Sequence, residues 1–195
     1  MPRPCYTSGP HRRRGVSTVW IIAAGPALLV LLVLVTDIGN LWRARVELET
    51  ALEAAALAAV KQWGNGGGGA TPTARQVGVD YAAANGVQGN PVAITTNFDG
   101  SMMPMSNQNL SCDGNLVFGV VTNAVSPYTV DAGQPGGPLD DLAVKAQATA
   151  PVDSLWNNLF GVPIGPYNVT VQTTARYRVA TARTDLIRVD AFLCP

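Results

Sequence analysis

Cysteine and histidine side chains are the best suited to nucleophilic or metal-ion chemistry, and the two cysteines of the C-terminal half lie far from the single histidine in the sequence. His11 stands beside a run of arginines near the N-terminus, whereas Cys112 and Cys194 lie in the C-terminal half. A Cys-His nucleophile and a zinc site both need histidine near cysteine, so the sequence favours neither. In an oxidising compartment Cys112 and Cys194 can form a disulfide that closes a long loop; two unpaired buried thiols are the alternative.

The aspartates of the C-terminal region favour turns over catalysis. Asp140 and Asp141 are adjacent, so in a strand they would face opposite sides and could not act as a catalytic pair. Asp99-Gly100 and Asp113-Gly114 are turn sequences, with calcium binding as the alternative. We therefore predict no catalytic residues, no metal ligands and no cofactor.

Two stretches of biased composition each have a chemical and a structural interpretation. The methionines Met102, Met103 and Met105 lie in an Asn-rich segment without periodicity, where they are loop or packing residues, with soft copper ligands as the alternative. Residues 64–69 are almost all glycine but lack the Lys-Ser/Thr pair of a phosphate-binding loop. We predict a flexible linker over residues 64–70.

A long uncharged stretch dominates the N-terminal region. Residues 15–36 contain no charged side chain and are followed by Asp37. A helix of this length crosses the roughly 30 Å of bilayer hydrocarbon. A cleaved signal peptide, the alternative, needs a shorter apolar region followed by a small-residue cleavage site. The pattern favours a retained transmembrane helix over residues 15–36, in contact with membrane lipid.

Basic residues around this stretch predict its orientation. Arginines precede it at Arg3, Arg12, Arg13 and Arg14, and follow it at Arg43 and Arg45, where acidic residues dilute them. Because cytoplasmic loops collect Lys and Arg, residues 1–14 are predicted to be a cytoplasmic tail and the rest to lie outside. The net charge is +0 and charged residues make up 13%, so we expect no nucleic-acid partner.

The helix is predicted to continue beyond the membrane over residues 37–63. Apolar residues recur there at helical spacing, at Ile38, Leu41, Leu48, Leu52, Ala55, Ala59 and Trp63. The stretch from Leu52 to Val60 is nearly all Ala and Leu, which have high helix propensity and mostly little bulk. Such a surface permits close packing on a partner or on the chain's own domain.

Residues 71–195 are predicted to form an α+β domain, with helices on a mainly antiparallel sheet. Thr71-Pro72 begins a helix that ends near Asn85, with one face formed by Ala74, Val77, Tyr81 and Ala84. A short helix is predicted from Pro151 to Gly161. Alternating patterns predict strands over residues 92–98, 116–120, 142–150, 169–179 and 186–193.

The N-terminal residues carry a family resemblance in their order and spacing. The pattern consists of Arg13-Arg14-Gly15, Pro26 eleven positions after Gly15, Asp37-Ile38-Gly39, Arg45, Leu48 and the Ala-rich residues 54–59. It resembles the N-terminal module of TadE/TadG-like proteins of the Tad (Flp) pilus-assembly system, over about the first 63 residues. Residues 142–177 also resemble the outer region of such proteins.

The resemblance implies a non-enzymatic component of a bacterial pilus or secretion apparatus. It would be anchored once in the inner membrane, with its C-terminal domain outside the cytoplasm and with other apparatus subunits, not small-molecule substrates, as partners. A membrane-anchored binding module unrelated to pili is the alternative, and an anchored hydrolase that uses only aspartates is a third.

Three departures from the family pattern limit these implications. Pilin-like members that a prepilin peptidase cleaves carry Glu five positions after the cleavage-site glycine, but here Trp20 follows Gly15 at that distance. We therefore expect no cleavage between Gly15 and Val16. Glu53 replaces the usual Asp before the Ala-rich run. The Asp-x-Ser-x-Ser metal motif of some larger members is absent from the sequence.

Overall fold

A single long helix forms both the N-terminal apolar segment and part of the folded domain. The structure, a computed structural model, describes residues 16–69, 71–98, 112–123, 125–161, 163 and 165–194. Its helices are α1 (Val16–Asn65), α2 (Pro72–Ala84) and α3 (Leu155–Phe160). Its strands are β1 (Gly86–Val87), β2 (Asn90–Pro91), β3 (Leu116–Asn123), β4 (Tyr128–Asp131), β5 (Leu142–Val152), β6 (Tyr167–Arg178), β7 (Arg183–Leu186) and β8 (Val189–Leu193).

Helix α1 has two halves with opposite environments. It contains 50 residues without a break, Pro26 included, and at the standard rise it is about 75 Å long. From Val19 to Val35 the exposed large apolar side chains are 45–71% accessible. Leu48, Leu52 and Trp63, farther along, are at most 1% exposed. Helix α1 is long and apolar enough to cross a membrane, with a window of mean hydropathy 2.6.

The C-terminal half of α1 lies in the core of a domain that has the predicted α+β class. Six strands form a sheet in the order β7-β6-β5-β3-β4-β8, antiparallel except for the parallel pair β4–β8. The longest pairing joins β5 to β6, from Leu142 opposite Tyr177 to Val152 opposite Tyr167. One face of this sheet packs against the Ala-rich part of α1. The small residues therefore pack on the chain's own domain.

Helix α2 lies beside α1 through a face that differs from the predicted one. Its buried residues are Ala74, Arg75, Gly78 and Ala82, whereas Tyr81 is 52% exposed. A Cβ at Gly78 would come within 3.2 Å of the Ala59 Cβ atom. Glycine on one helix and alanine on the other thus allow a close approach. The predicted face was wrong because the large apolar side chains of α2 were assigned to the contact, whereas small residues allow the two helices to approach closely.

Three other predicted elements need correction. Residues 92–98 form no strand: Val92 and Ile94 are buried as an alternating pattern requires, but the segment is attached by side chains. The backbone N–H of Thr95 donates to Asn115 Oδ1 at 3.0 Å, and Asn97 Oδ1 accepts from Leu116 N at 3.1 Å. Alternation reports burial and does not show which groups supply the hydrogen bonds.

Pro151 belongs to β5 and does not begin a helix. It lies opposite Asn168 in the sheet, and α3 starts only at Leu155, after the N-cap Ser154. Gly161 ends α3 in the left-handed conformation, at φ 64°, as its sequence position predicted.

The predicted last strand, residues 186–193, is two strands on opposite edges of the sheet. β7 pairs with β6, and β8 pairs with β4. Only two residues separate Leu186 from Val189, so the edges can be no more than about 11 Å apart at that point. The sheet is therefore strongly curled, and the Arg176 guanidinium of β6 lies 4.6 Å from the Tyr128 ring centre of β4.

Candidate functional site

The candidate site lies where the exposed half of α1 meets the buried half. Asp37 is 7% exposed. Its Oδ2 accepts a hydrogen bond from the Ser154 hydroxyl at 2.6 Å, and its Oδ1 accepts one from the Leu155 backbone N–H at 2.8 Å. Ser154 Oγ in turn accepts from Trp156 N at 3.1 Å. We call Asp37, Ser154 and Leu155 the exit contact; it joins α1 to the start of α3.

A second group of polar contacts holds α1 to the β1–β2 hairpin. Gln88, at φ 51° between the two strands, donates from its side chain to Asn40 Oδ1 at 2.9 Å and from its backbone N–H to Glu47 Oε2 at 2.7 Å. Arg43 also donates to Glu47, at 2.7 Å. These donors, the Gln88 N–H first, hold the pKa of the Glu47 carboxyl below its usual value. The carboxylate is thus charged at neutral pH.

An open groove runs beside the exit contact. Its volume is about 480 Å³, and Ile38, Leu41, Trp42, Arg45 and Tyr167 are among the residues that line it. Ile38 is 59% exposed and Trp42 is 69% exposed. The groove is mainly apolar, with one cationic side chain. The arrangement can hold and orient the domain on α1, and it presents an apolar surface next to the exposed part of the helix.

The family-motif positions fall on α1 in different surroundings. Pro26 lies inside the helix, and a Cβ at Gly39 would meet no atom within 4 Å. Leu48 is fully buried, Arg45 is exposed and Glu53 is half-buried. Trp20 is 70% exposed on the apolar half, and Val16 is the first residue of the helix. Arg12, Arg13, Arg14 and Gly15 lie outside the described residues.

The residues that suggested chemistry do not converge. Asp140 Oδ2 accepts from Gly137 N at 2.9 Å and Asp141 Oδ1 accepts from Val179 N at 3.0 Å, so each carboxylate fixes its own backbone segment. Within the described part of the chain, no group of three or more His, Cys, Asp or Glu side chains could hold a metal ion. His11, Asp99 and the Met cluster lie outside that part.

Cys112 and Cys194 are joined in the structure as a disulfide, with their Cα atoms 5.9 Å apart. The bond ties the segment before β3 to the end of β8, across 82 residues of sequence. Lys145 and Gln147 of β5 also donate to the Cys112 carbonyl, at 3.1 and 3.0 Å. This corner of the sheet is therefore held by covalent and polar contacts together.

Thiol labelling tests this pairing in the native protein. When the chain is unfolded without reductant, we expect a maleimide to label Cys5 alone of the three cysteines, and all three after reduction. Peptide mapping identifies the labelled positions. Labelling of both Cys112 and Cys194 before reduction would contradict the disulfide.

Sequence reasoning missed the polar residues that attach α1 and α2 to the rest of the domain. Ser154 carries a recognisable signal, since a serine directly before a short apolar run is a common N-cap. Gln88 and Arg75 carry none. Arg75 is fully buried and donates to the carbonyls of Thr96 and Leu116 at 2.8 and 2.9 Å. Burial lowers its pKa to about 10.

Replacing Asp37 should loosen the exit contact. Asp37→Ala removes both acceptors, and we expect the free energy of unfolding to fall by about 2–3 kcal/mol, because a buried hydroxyl and a backbone N–H lose charged partners. Asp37→Asn, which keeps one acceptor, should cost less. Urea unfolding of the full chain in detergent measures both. Glu49→Ala, at an exposed position on α1, is the matched control, and equal losses for Asp37→Ala and the control would contradict the assignment.

Comparison with known proteins agrees with this division of the chain. Residues 15–62 match the family model described as Flp pilus-assembly TadE/G-like, and these are nearly the bounds of α1. No curated protein and no solved structure matches the chain. The resemblance inferred for residues 142–177 stays a prediction. The resemblance of the N-terminal region is thereby confirmed over residues 15–62, which are similar to TadE/G-like Flp pilus-assembly proteins.

Proposed function

We propose that this protein is a non-enzymatic, single-pass component of a Tad-type pilus or related secretion apparatus. Its N-terminal tail lies in the cytoplasm, α1 crosses the bacterial inner membrane, and the α+β domain is held outside as an assembly surface for other subunits. The TadE/G-like match over residues 15–62 supports the pilus-related role. The orientation is supported by the excess of arginines before the span over those after it, where acidic residues lie among them.

The observation that carries the proposal is the continuity of α1. The same 50-residue helix supplies the exposed apolar half and the centre of the domain core. A signal peptide would be removed, and cleavage after residue 36 would cut the helix beside Asp37, whose carboxylate joins α3. A retained anchor keeps the helix and the exit contact intact.

Direct packing of the anchor suggests a mechanical role. A flexible linker would let the domain sample many orientations above the membrane. Here Leu48, Leu52 and Trp63 of α1 are buried in the domain, so the orientation of the domain follows that of the membrane helix. Such a subunit presents one defined surface to its neighbours in the bilayer.

The absence of an enzymatic role is also part of the proposal. The adjacent carboxylates Asp140 and Asp141 each accept a hydrogen bond from a different backbone segment, at Gly137 and at Val179. Cys112 and Cys194 are paired with each other. These side chains therefore have structural partners in the places where the sequence offered candidates for catalysis.

Isolation of the full chain from native membranes tests the proposal. We expect it in the membrane fraction, accompanied by other anchored pilus-assembly subunits, and encoded near a secretion ATPase. Its intact mass should include the residues before Gly15, because Trp20 replaces the expected glutamate. Recovery from the soluble fraction would contradict the anchor. A membrane-bound chain with no apparatus component and no such gene cluster would contradict the pilus role and favour an unrelated binding module.

A further inference from the structure

Helix α3 lies at the height where the apolar half of α1 ends. Leu155, its first residue, donates to Asp37, the first charged residue after the apolar stretch. Val33, one turn earlier, is only 7% exposed, whereas Leu32 and Leu34 on either side are 62% and 46% exposed. Helices α1 and α3 are in contact. Part of the domain therefore covers one face of the last turn of the span.

The segment that includes α3 has the composition of a membrane interface. Residues 154–175 contain no charged side chain, and their first part includes Trp156 and Tyr167. Trp and Tyr are enriched where hydrocarbon meets the headgroups, because their rings are apolar with one polar atom. The turn that follows the C-terminal end of β6 is charged instead: Arg178, Arg183 and Asp185 lie around it.

The adjoining face of α1 continues the apolar surface of the span. Ile38 and Trp42 are exposed on it and line the groove with Tyr167, and Arg45 lies at its outer side. Trp42 is six residues beyond Thr36, which is about 9 Å along a helix. The headgroup region on each side of the hydrocarbon is about 5–7 Å thick. The Cα atom of Trp42 is thus just outside the headgroups, and its side chain, which leans toward the N-terminus of the helix, reaches back into them. Arg45 begins about 14 Å beyond Thr36, so it meets lipid phosphates only by extending its long side chain back toward the membrane.

We propose that residues 154–157 and Tyr167, together with the groove beside Trp42, form a second membrane contact that lies in the phospholipid headgroup layer. This inference rests on the proposed membrane anchor. Phospholipid is the occupant because the groove is continuous with the exposed apolar surface of the span and has, in Arg45, a cation that can extend back toward the phosphates. The contact fixes the tilt and rotation of the domain at the bilayer, which a single helix leaves free.

Fluorescence quenching by nitroxide lipids tests the contact. The full chain, with Cys5→Ser, is labelled without reductant at an introduced cysteine and placed in phospholipid nanodiscs. Asn157→Cys reports on α3, and Trp42→Cys reports on α1 as an independent position. Thr181→Cys, exposed at the charged turn after β6, is the control. We expect nitroxide on the headgroups to reduce the fluorescence of the first two probes and to leave the Thr181 probe unchanged.

A fourth probe separates failure of the contact from failure of the anchor. Val30→Cys lies in the exposed apolar half of α1 and should be quenched by nitroxide on the acyl chains. Quenching at Val30, with Asn157 and Trp42 as unaffected as Thr181, would overturn the second contact and leave the anchor. No quenching at Val30 would overturn both. Energy transfer between Asn157 probes on two chains, without lipid quenching, would show that a second copy of the chain covers this surface. That result would overturn the inference.

Discussion

Replacing Trp63 with alanine is expected to lower the free energy of unfolding by about 3–5 kcal/mol, as large-to-small changes of buried aromatic residues do. The side chain is 1% exposed. Its ring meets Phe118 edge-on with centres 5.1 Å apart, and Nε1 donates to the Gly69 carbonyl at 3.3 Å. A Cβ at Gly136 would come within 2.5 Å of the ring. Trp63 thus closes the core near the C-terminal end of α1.

Urea unfolding of the full chain in detergent, followed by pulse proteolysis, measures this loss. Trp42→Ala is the matched control, since Trp42 lies on the same helix and is 69% exposed; we expect a change within about 0.5 kcal/mol in detergent. A loss for Trp63→Ala as small as that of the control would show that the C-terminal half of α1 is not in the core.

Replacing Arg75 with alanine should have an effect of the same size, about 3–5 kcal/mol. The guanidinium bonds Thr71 Oγ1 at 3.0 Å and the carbonyls of Thr96 and Leu116, and it lies 4.3 Å from the Phe118 ring centre. Hydrogen bonds to charged groups contribute about 1.5–3 kcal/mol each, and buried carbonyls without a donor are costly. The pKa of about 10 leaves the group protonated at neutral pH, so these bonds hold there.

Two further variants show how Arg75 acts. Arg75→Met keeps most of the stem but no donor, so it should recover the packing part of the loss and leave the polar part. Arg188→Ala, at an exposed position, should change the unfolding free energy by no more than about 0.5 kcal/mol. The same urea titration applies to all three. Stability of Arg75→Met equal to that of the wild type would contradict the role of the hydrogen bonds.

The elements that the sequence predicted well are those in which burial follows a single period. Helix α1 shows an uncharged stretch followed by apolar residues three and four apart, and its end is set by the glycines after Trp63. Strands β5 and β6 alternate for most of their length, and Gly161 marks the end of α3. For these, local pattern and tertiary packing demand the same conformation.

The errors arose where contacts distant in sequence decide the structure. Val92 and Ile94 alternate like strand residues, but Asn97 and Asn115 supply the hydrogen bonds in place of a neighbouring strand. Leu186 and Val189 belong to one apparent run, yet the curled sheet puts them on opposite edges. No local period contains information about the curvature of a sheet.

Only part of the candidate site could be predicted from the sequence, for the same reason. Asp37 stood out as the residue that ends the apolar stretch, and the cysteines stood out as a possible pair. The partners of Asp37 lie 117 and 118 residues away, and Glu47 and Asn40 both accept hydrogen bonds from Gln88 in a two-residue hairpin turn. These contacts depend on how β5, α3 and the hairpin meet α1, which the sequence pattern does not specify.

Hydrogen exchange of the full chain in phospholipid nanodiscs tests most directly whether one helix serves as both membrane anchor and domain core. Amides of residues 38–63 should exchange as slowly as those of β5, since both then open only when the whole domain unfolds. Protection should also continue without a gap through residues 33–40. Exchange of residues 38–63 orders of magnitude faster than that of β5, or a fast-exchanging break beside Asp37, would contradict a single continuous helix.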